Sequence, residues 1–399
     1  MGLSVGIGGN VDISGIQGAS WSGVRWDPTL PGSAMTRVGD ANWQQLFQDI
    51  SLVALSDTGV INAVLATYSS PTILGATDGS NGQAMTRIPK KYYREIFNTA
   101  GEMCGIDMSN YPLLGFTLHE KFSWGNGRDA VYCAAFEGST VAGKYQSISN
   151  AVLDSSKTLA QFHGYAVARG SGYHEYDLYT HDLLQKLFYI HYADLNSQLV
   201  LPAYSEHTWV DGHEKRKTGR TLSLTTMNGY VNADAVLDAD IATGWNNASR
   251  VIANRFLWIE NFYGHCWKFF AGVVYDGRTG QPNTAWVTPD PTKFSSVDAE
   301  ILSRYTNLNI NLPASPNENY IKSFGHLFMP VALGGNSATY TCDYFWSYLD
   351  DTTRNYLHLV LSGGSLSYGG LVGVAARDSA GDLGRANAGS VSRLCYESN

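Results

Sequence analysis

The sequence predicts an α+β protein with few helices, many short strands and much irregular backbone. Three observations lead there. Glycine is frequent (42) and proline scarce (12), which fits tight turns better than flexible linkers. Apolar residues make up 44% of the 399 positions against 16% charged, so the chain can bury a sizeable core. Clear helical spacing of apolar residues is found only in the middle of the chain.

Residues 1–30 mix Gly, Ser, Ile and Val in short alternations such as Val11-Asp-Ile-Ser-Gly15, which predicts strands or an extended arm. Ala34-Met-Thr-Arg-Val38 recurs as Ala84-Met-Thr-Arg-Ile88, an echo expected of two related hairpins. Asp78-Gly-Ser-Asn-Gly-Gln83 is dense turn chemistry between two strands, and Tyr92-Tyr93 and Ile96-Phe97 continue an apolar stripe. Ser155-Ser156 is expected to cap a helix through Leu159, Phe162 and Ala166 that stops near Gly170. Thr180 is the expected cap of a second, with Leu183, Leu184, Leu187, Phe188 and His191 on one face. Beyond residue 200 short strands return, and Pro289–Leu312 is expected to be loop-rich.

Charge and motif content exclude several functions. The formal net charge is −8, and the densest basic stretch, His213-Glu-Lys-Arg-Lys217, carries an acid within it. Nucleic acid and anionic membrane surfaces are therefore poor partners, because both need a basic surface. No apolar run approaches the roughly 18 residues of a membrane span, and the first residues do not read as a signal peptide. The five cysteines stand singly, without a C-x-x-C pair. That predicts neither a disulfide framework nor a zinc site, and fits a reducing cytosol. His119-Glu120 and His174-Glu175 lack the second histidine of a zincin helix. Gly138-Ser-Thr-Val-Ala-Gly-Lys144 approaches a phosphate loop, but Tyr145 stands where a magnesium-binding Ser or Thr belongs. Asp234, Asp238 and Asp240 could line a calcium loop, without the glycine and terminal glutamate of an EF-hand. Structural calcium is the one cofactor left open, and no catalytic residue is expected.

From about residue 115 the order of segments resembles a known fold. His119-x-x-Phe122 followed by Val131-Tyr-Cys-Ala-Ala-Phe-Glu137 looks like the opening strands of the formylglycine-generating-enzyme-like C-type lectin fold. Gly172-Tyr-His-Glu-Tyr-Asp-Leu-Tyr-Thr-His-Asp-Leu-Leu184 is similar to the stretch that delivers its second helix. Trp258-Ile-Glu-Asn-Phe-Tyr-Gly-His-Cys-Trp-Lys-Phe269 resembles its central signature, with Trp267 as the buried aromatic and Gly264 as the turn. Gly363-Gly-Ser365, Ala375-Ala-Arg377 and Ser392-Arg-Leu394 follow its terminal series. Together with Asp78–Lys90 and Tyr340-Thr-Cys-Asp-Tyr344, the likeness is to phage and prophage tail proteins and to the variable proteins of diversity-generating retroelements. It implies a β-rich mounting or oligomerisation region over 1–110 and a lectin-like ligand-binding domain over 111–399.

The departures are informative. The related enzymes keep cysteines between the Gly-Gly-Ser turn and the Ala-Ala-Arg strand, whereas here Ser365 to Leu394 contains none. Without a thiolate there is neither copper ligand nor redox nucleophile, so the chain is not expected to be an enzyme. Leu366 to Asn387 instead has the Ser, Gly, Asp, Asn and Tyr content of a paratope. Ser367, Tyr368, Asp378, Ser379, Asp382, Arg385 and Asn387 are the expected receptor-binding residues, with Val374-Ala-Ala376 and Val391 as core strand beneath them. The resemblance thus implies a homotrimeric virion protein of the tail tip or fibre, made in the bacterial cytoplasm, that binds a host cell-surface protein or glycan. The alternative is a structural baseplate or decoration protein whose domain contacts only other tail proteins.

Overall fold

A computed structural model describes residues 20–124, 127–203, 217–233, 251–314, 318–379 and 381–397. Strands dominate and helices are few, the α+β composition expected. One antiparallel sheet of six strands has the order Tyr173–Glu175, Leu394–Glu397, Ala130–Ala134, Gln83–Pro89, Ser51–Leu55, Ile61–Thr67. A second, of five, places Trp21–Arg25 and Met103–Ser109 at its centre. A third is built around Trp267–Asp276 paired with Leu357–Ser362. Every residue of Trp267–Asp276 is buried, which is why its apolar run does not alternate.

The expected division at residue 110 is not a seam in this architecture. Strands 51–55, 61–67 and 83–89 share a sheet with 130–134 and 394–397, and one apolar cluster runs from Val24 to Cys395. The Ala-Met-Thr-Arg echo is not a structural repeat either. Thr36–Gly39 is the edge strand of the five-stranded sheet, whereas Gln83–Pro89 lies inside the six-stranded one. Four shared letters do not fix a register without a matching apolar pattern around them.

Both expected helices form, preceded by a short one, α1 (Glu120–Ser123). Helix α2 (Leu159–Val167) begins not at Ser155-Ser156 but at Thr158, whose side chain accepts from Gln161 N–H. The Gln161 side chain reciprocates, a capping box that wins because it satisfies two orphan donors at once. Helix α3 (Leu178–Tyr192) starts before Thr180: Asp177 caps it, accepting from the N–H groups of Tyr179 and Thr180. A carboxylate at a helix N-terminus also meets the positive end of the helix dipole. Residues Leu178–Ile190 are all buried, so the polar groups of α3 must find partners inside the protein. Pro289–Leu312 is more ordered than expected, with a helix over Asp298–Arg304 and a strand over Thr306–Asn311. The stretch resembling a phosphate loop is a hairpin, Ser139–Val141 against Lys144–Gln146, and Tyr145 is buried with its hydroxyl donating to Ser392 C=O. The extended arm (1–19), the basic stretch up to Arg216 and the aspartates 234, 238 and 240 lie outside the described residues.

Candidate functional site

The C-terminal glycine-rich segment is positioned by two backbone turns. Gly363 and Gly364 both take positive φ (85° and 73°), and a Cβ on Gly364 would sit 2.2 Å from Val372 Cγ1. Only glycine reverses the chain there without displacing Val372. The partner turn is Gly264 (φ 88°), whose N–H donates to Gly363 C=O. A 3-10 turn over Leu366–Leu371 then carries Ser367 and Tyr368.

Val374–Ala376 are buried as expected, but as a turn rather than a strand. Its backbone polar groups are met from below. Asp343 Oδ2 accepts from Ala375 N–H at 2.7 Å, and Val374 C=O is bonded to His181 Nε2 at 2.8 Å. The buried Arg377 guanidinium donates to Ser362 Oγ (2.7 Å) and, from the same fork, to Gln185 Oε1 on α3 (3.1 Å). The segment is thus bolted to α3 and to the third sheet, a rigid support of the kind a recognition surface needs.

Above this support lies a herringbone of aromatic rings. Tyr368 stands 4.8 Å from Trp346 and 5.7 Å from Trp267, both edge-on. Trp267 and Trp346 are 5.3 Å apart, and the row continues through Tyr344 (4.7 Å from Trp346) to Tyr320 (5.2 Å from Tyr344). Edge-to-face contacts, with one tilted pair between Tyr344 and Trp346, hold each ring in place without stacking it flat. Trp267 is 4% exposed and Trp346 8%, whereas Tyr368 presents 37% of its surface and Tyr344 and Tyr320 are half-buried. Beside the row, Arg385 Nη1 lies 3.6 Å from Asp378 Oδ2.

The expected binding residues divide accordingly. Tyr368, Asp382 and Asn387 are exposed and Arg385 is half-buried. Tyr368 does not stand free of apolar neighbours as its glycine-rich context implied, because two tryptophans come to it from other strands. Asp378 and Ser379 are corrections. Asp378 is buried in a short strand that pairs with both Trp346 and Leu361. Ser379 is fully buried, its hydroxyl donating to Trp346 C=O and accepting from Tyr348 N–H. Polar letters in a glycine-rich stretch hid a strand that completes a sheet between two distant ones. Asn387 is largely structural, its side chain accepting from Gly389 N–H at 2.6 Å. Trp346, Tyr344 and Tyr320 were missed. The signal was present in Tyr344-Phe-Trp-Ser-Tyr348, where aromatics alternate with residues buried on the opposite face of a strand.

One titratable group lies directly under the face. Burial, opposed by hydrogen bonds from Ala375 and Ser197, pushes the Asp343 carboxyl up to about 7. The folded state therefore holds a proton that the unfolded chain releases near a pKa of about 3.9. This contribution to stability is complete below that pH and is lost as pH rises through 7. Asp343→Asn is expected to flatten that dependence. The variant should gain on the parent near pH 8 but not near pH 4, by at most about 4 kcal/mol, read from urea unfolding at both.

Two buried clusters bring together potential metal ligands, Glu137–His265–Cys266 and His174–Asp177–Cys395. Each already contains an ammonium. Lys268 Nζ lies 2.8 Å from Glu137, and Lys121 Nζ 2.9 Å from Asp177 and against Glu397. The positive charge that a metal would supply is provided by lysine, so these donor sets fit ion-pair clusters better than a cation site. No helix among the described residues is long and apolar enough to cross a membrane. Compared with known proteins, the chain matches no family model and no curated protein.

Proposed function

We propose that the protein is a phage-type receptor-binding protein of a tail tip or fibre, with a C-type-lectin-like domain whose ligand face is the aromatic row ending at Tyr368. The observation that carries this reading is that row. Rings drawn from four separate segments converge on one partly exposed surface, flanked by an arginine and backed by a turn whose backbone groups are bonded from beneath. Aromatic side chains and arginine supply most interface energy, because they bring large area at little cost in conformational freedom. The segments that carry the resemblance also touch one another, which supports the reading. Gly264 bonds to Gly363, Gly363 to Ala376, and Arg393 to the carbonyls of Glu260 and Asn261. In this reading the ligand is a protein or glycan of a host surface, the assembly is a homotrimer, and the face performs no chemistry.

Binding to a panel of bacterial cells, with circular dichroism as folding control, tests it. Tyr368→Ala and Arg385→Ala are each expected to stay folded and to weaken binding by about tenfold or more, with Tyr368 nearer thirtyfold. Asp382→Ala, at the exposed periphery, is expected to do little. Parental binding by both central variants would move the site elsewhere. Retained assembly into particles without any cell binding would favour a structural tail component.

A further inference from the structure

Two of the five cysteines, 262 positions apart in sequence (395 − 133), face each other across the six-stranded sheet. Cys395 on the Leu394–Glu397 strand is the register partner of Cys133 on Ala130–Ala134. The hydrogen-bond directions define what kind of pair this is. Glu397 N–H donates to Gly172 C=O, so residues 395 and 397 turn their backbone groups toward the Tyr173–Glu175 strand. Ala135 N–H donates to Ala84 C=O, so residues 133 and 135 turn theirs toward Gln83–Pro89. Cys133 and Cys395 therefore direct their backbone groups away from one another. They occupy a non-hydrogen-bonded site of the antiparallel pair, where Cα atoms lie about 4.5 Å apart and side chains come closest.

Both side chains join the same apolar cluster, hence the same face of the sheet, where the Cys133 thiol donates to Ala134 C=O. A Cα separation of about 4.5 Å is within the range that a disulfide spans without backbone movement. Among the described strand pairs no other two cysteines are in register.

We infer that Cys133 and Cys395 are an oxidisable dithiol that forms a cross-strand disulfide once the protein meets an oxidising medium. The inference is independent of what the aromatic face binds. With a small disulfide such as oxidised glutathione as oxidant, one cysteine thiolate attacks the glutathione S–S bond and releases one glutathione thiolate. The second cysteine thiolate then attacks the mixed disulfide and releases the other. Two protein thiols are oxidised, one glutathione disulfide is reduced to two glutathione thiols, and protons balance between them. Both thiols are buried, at 0% and 1% exposure, and burial raises the Cys395 thiol well above its usual range. The exchange therefore awaits local opening of the strand ends. Once formed, the bond fastens the Leu394–Glu397 strand to the middle of its sheet and closes the chain segment that runs through the whole aromatic face.

The test is to incubate the full chain with oxidised glutathione in urea below its unfolding transition, where strand ends open while the fold persists. Thiols titrated after denaturation are expected to fall from five to three, with loss of two hydrogens in mass. A non-reducing digest is expected to yield a peptide joining Cys133 to Cys395. The thermal midpoint should rise and return on reduction. In Cys133→Ser the cross-link and the midpoint rise should both be absent. Five persisting thiols, a stable glutathione adduct in place of a cross-link, or a cross-link through Cys104, Cys266 or Cys342 would overturn the inference. Because the digest is read on the parent chain, instability of the variant does not blunt it.

Discussion

Lys186→Met is expected to destabilise the fold by about 3–5 kcal/mol, the usual consequence of removing one partner from a buried ion pair. Lys186 sits in the buried stretch of helix α3, its ammonium 2.5 Å from Asp182 and 2.9 Å from Glu95 and beneath the Tyr93 ring at 4.7 Å. Asp182 also bonds His119 Nε2 (2.8 Å), and Glu95 bonds His326 Nδ1 (2.6 Å). The Lys186 charge holds both carboxyls below their ordinary range, against a burial that would raise them. Without it, two carboxylates remain buried with only imidazoles to oppose them. Groups of lowered pKa stabilise above their unfolded pKa and lose that contribution as pH falls through the folded one. Parent and variant should therefore converge in acid, and a constant gap from neutral pH to about pH 3 would refute the electrostatic account. Asp182→Leu combined with Lys186→Met should recover much of the loss, because an apolar pair leaves one fewer charge stranded.

The second large effect is expected at Val374→Asp, which should leave the domain unfolded. Val374 has no exposed surface, its N–H faces Ser197 Oγ, and its C=O meets His181 Nε2. A carboxylate there would be desolvated among apolar neighbours, beside an Asp343 whose own carboxyl burial already pushes up to about 7. The cost of an unpaired buried charge is several kcal/mol, comparable to the whole stability of a typical domain. Loss of the near-ultraviolet dichroism of the tryptophans is the readout. Tyr368→Ala, six residues away, should keep that signal and lose only binding. A folded Val374→Asp that also fails to bind would mean that the turn is part of the face and not its support.

What could be read from the letters follows from local physics. Helices α2 and α3 were visible because apolar spacing of 3.6 residues is a local signal, although their caps were misplaced by two or three residues. Thr158 and Asp177 won over nearby Ser and Thr through the geometry of specific N–H groups. Tyr368 was legible as exposed because its flanking residues offer no period, whereas Arg385, read as exposed on the same ground, is half-buried beside Asp378. Asp378 and Ser379 were not, since the strand that buries them exists only by pairing with Trp346 and Leu361. Nor could composition bring Trp267, Trp346 and Tyr320 together, because their meeting is set by sheet order, which no short window contains. The cysteines show the same limit. Scattered singly in sequence, two of them become neighbours only when a late strand enters an early sheet.

That late strand also constrains the time course of folding. Leu394–Glu397 is an interior member of a sheet whose other strands are all made before residue 176, so the sheet keeps an open slot throughout translation of the intervening chain. Until the slot is filled, Ala130–Ala134 and Tyr173–Glu175 present unpaired edges, the surfaces on which nascent chains pair with one another. Pairings of such long sequence separation are intrinsically slow to form. Yield from rapid overexpression should therefore be governed by how long this gap stays open, and slower synthesis or a holding chaperone should raise the soluble fraction without changing the stability of the finished protein.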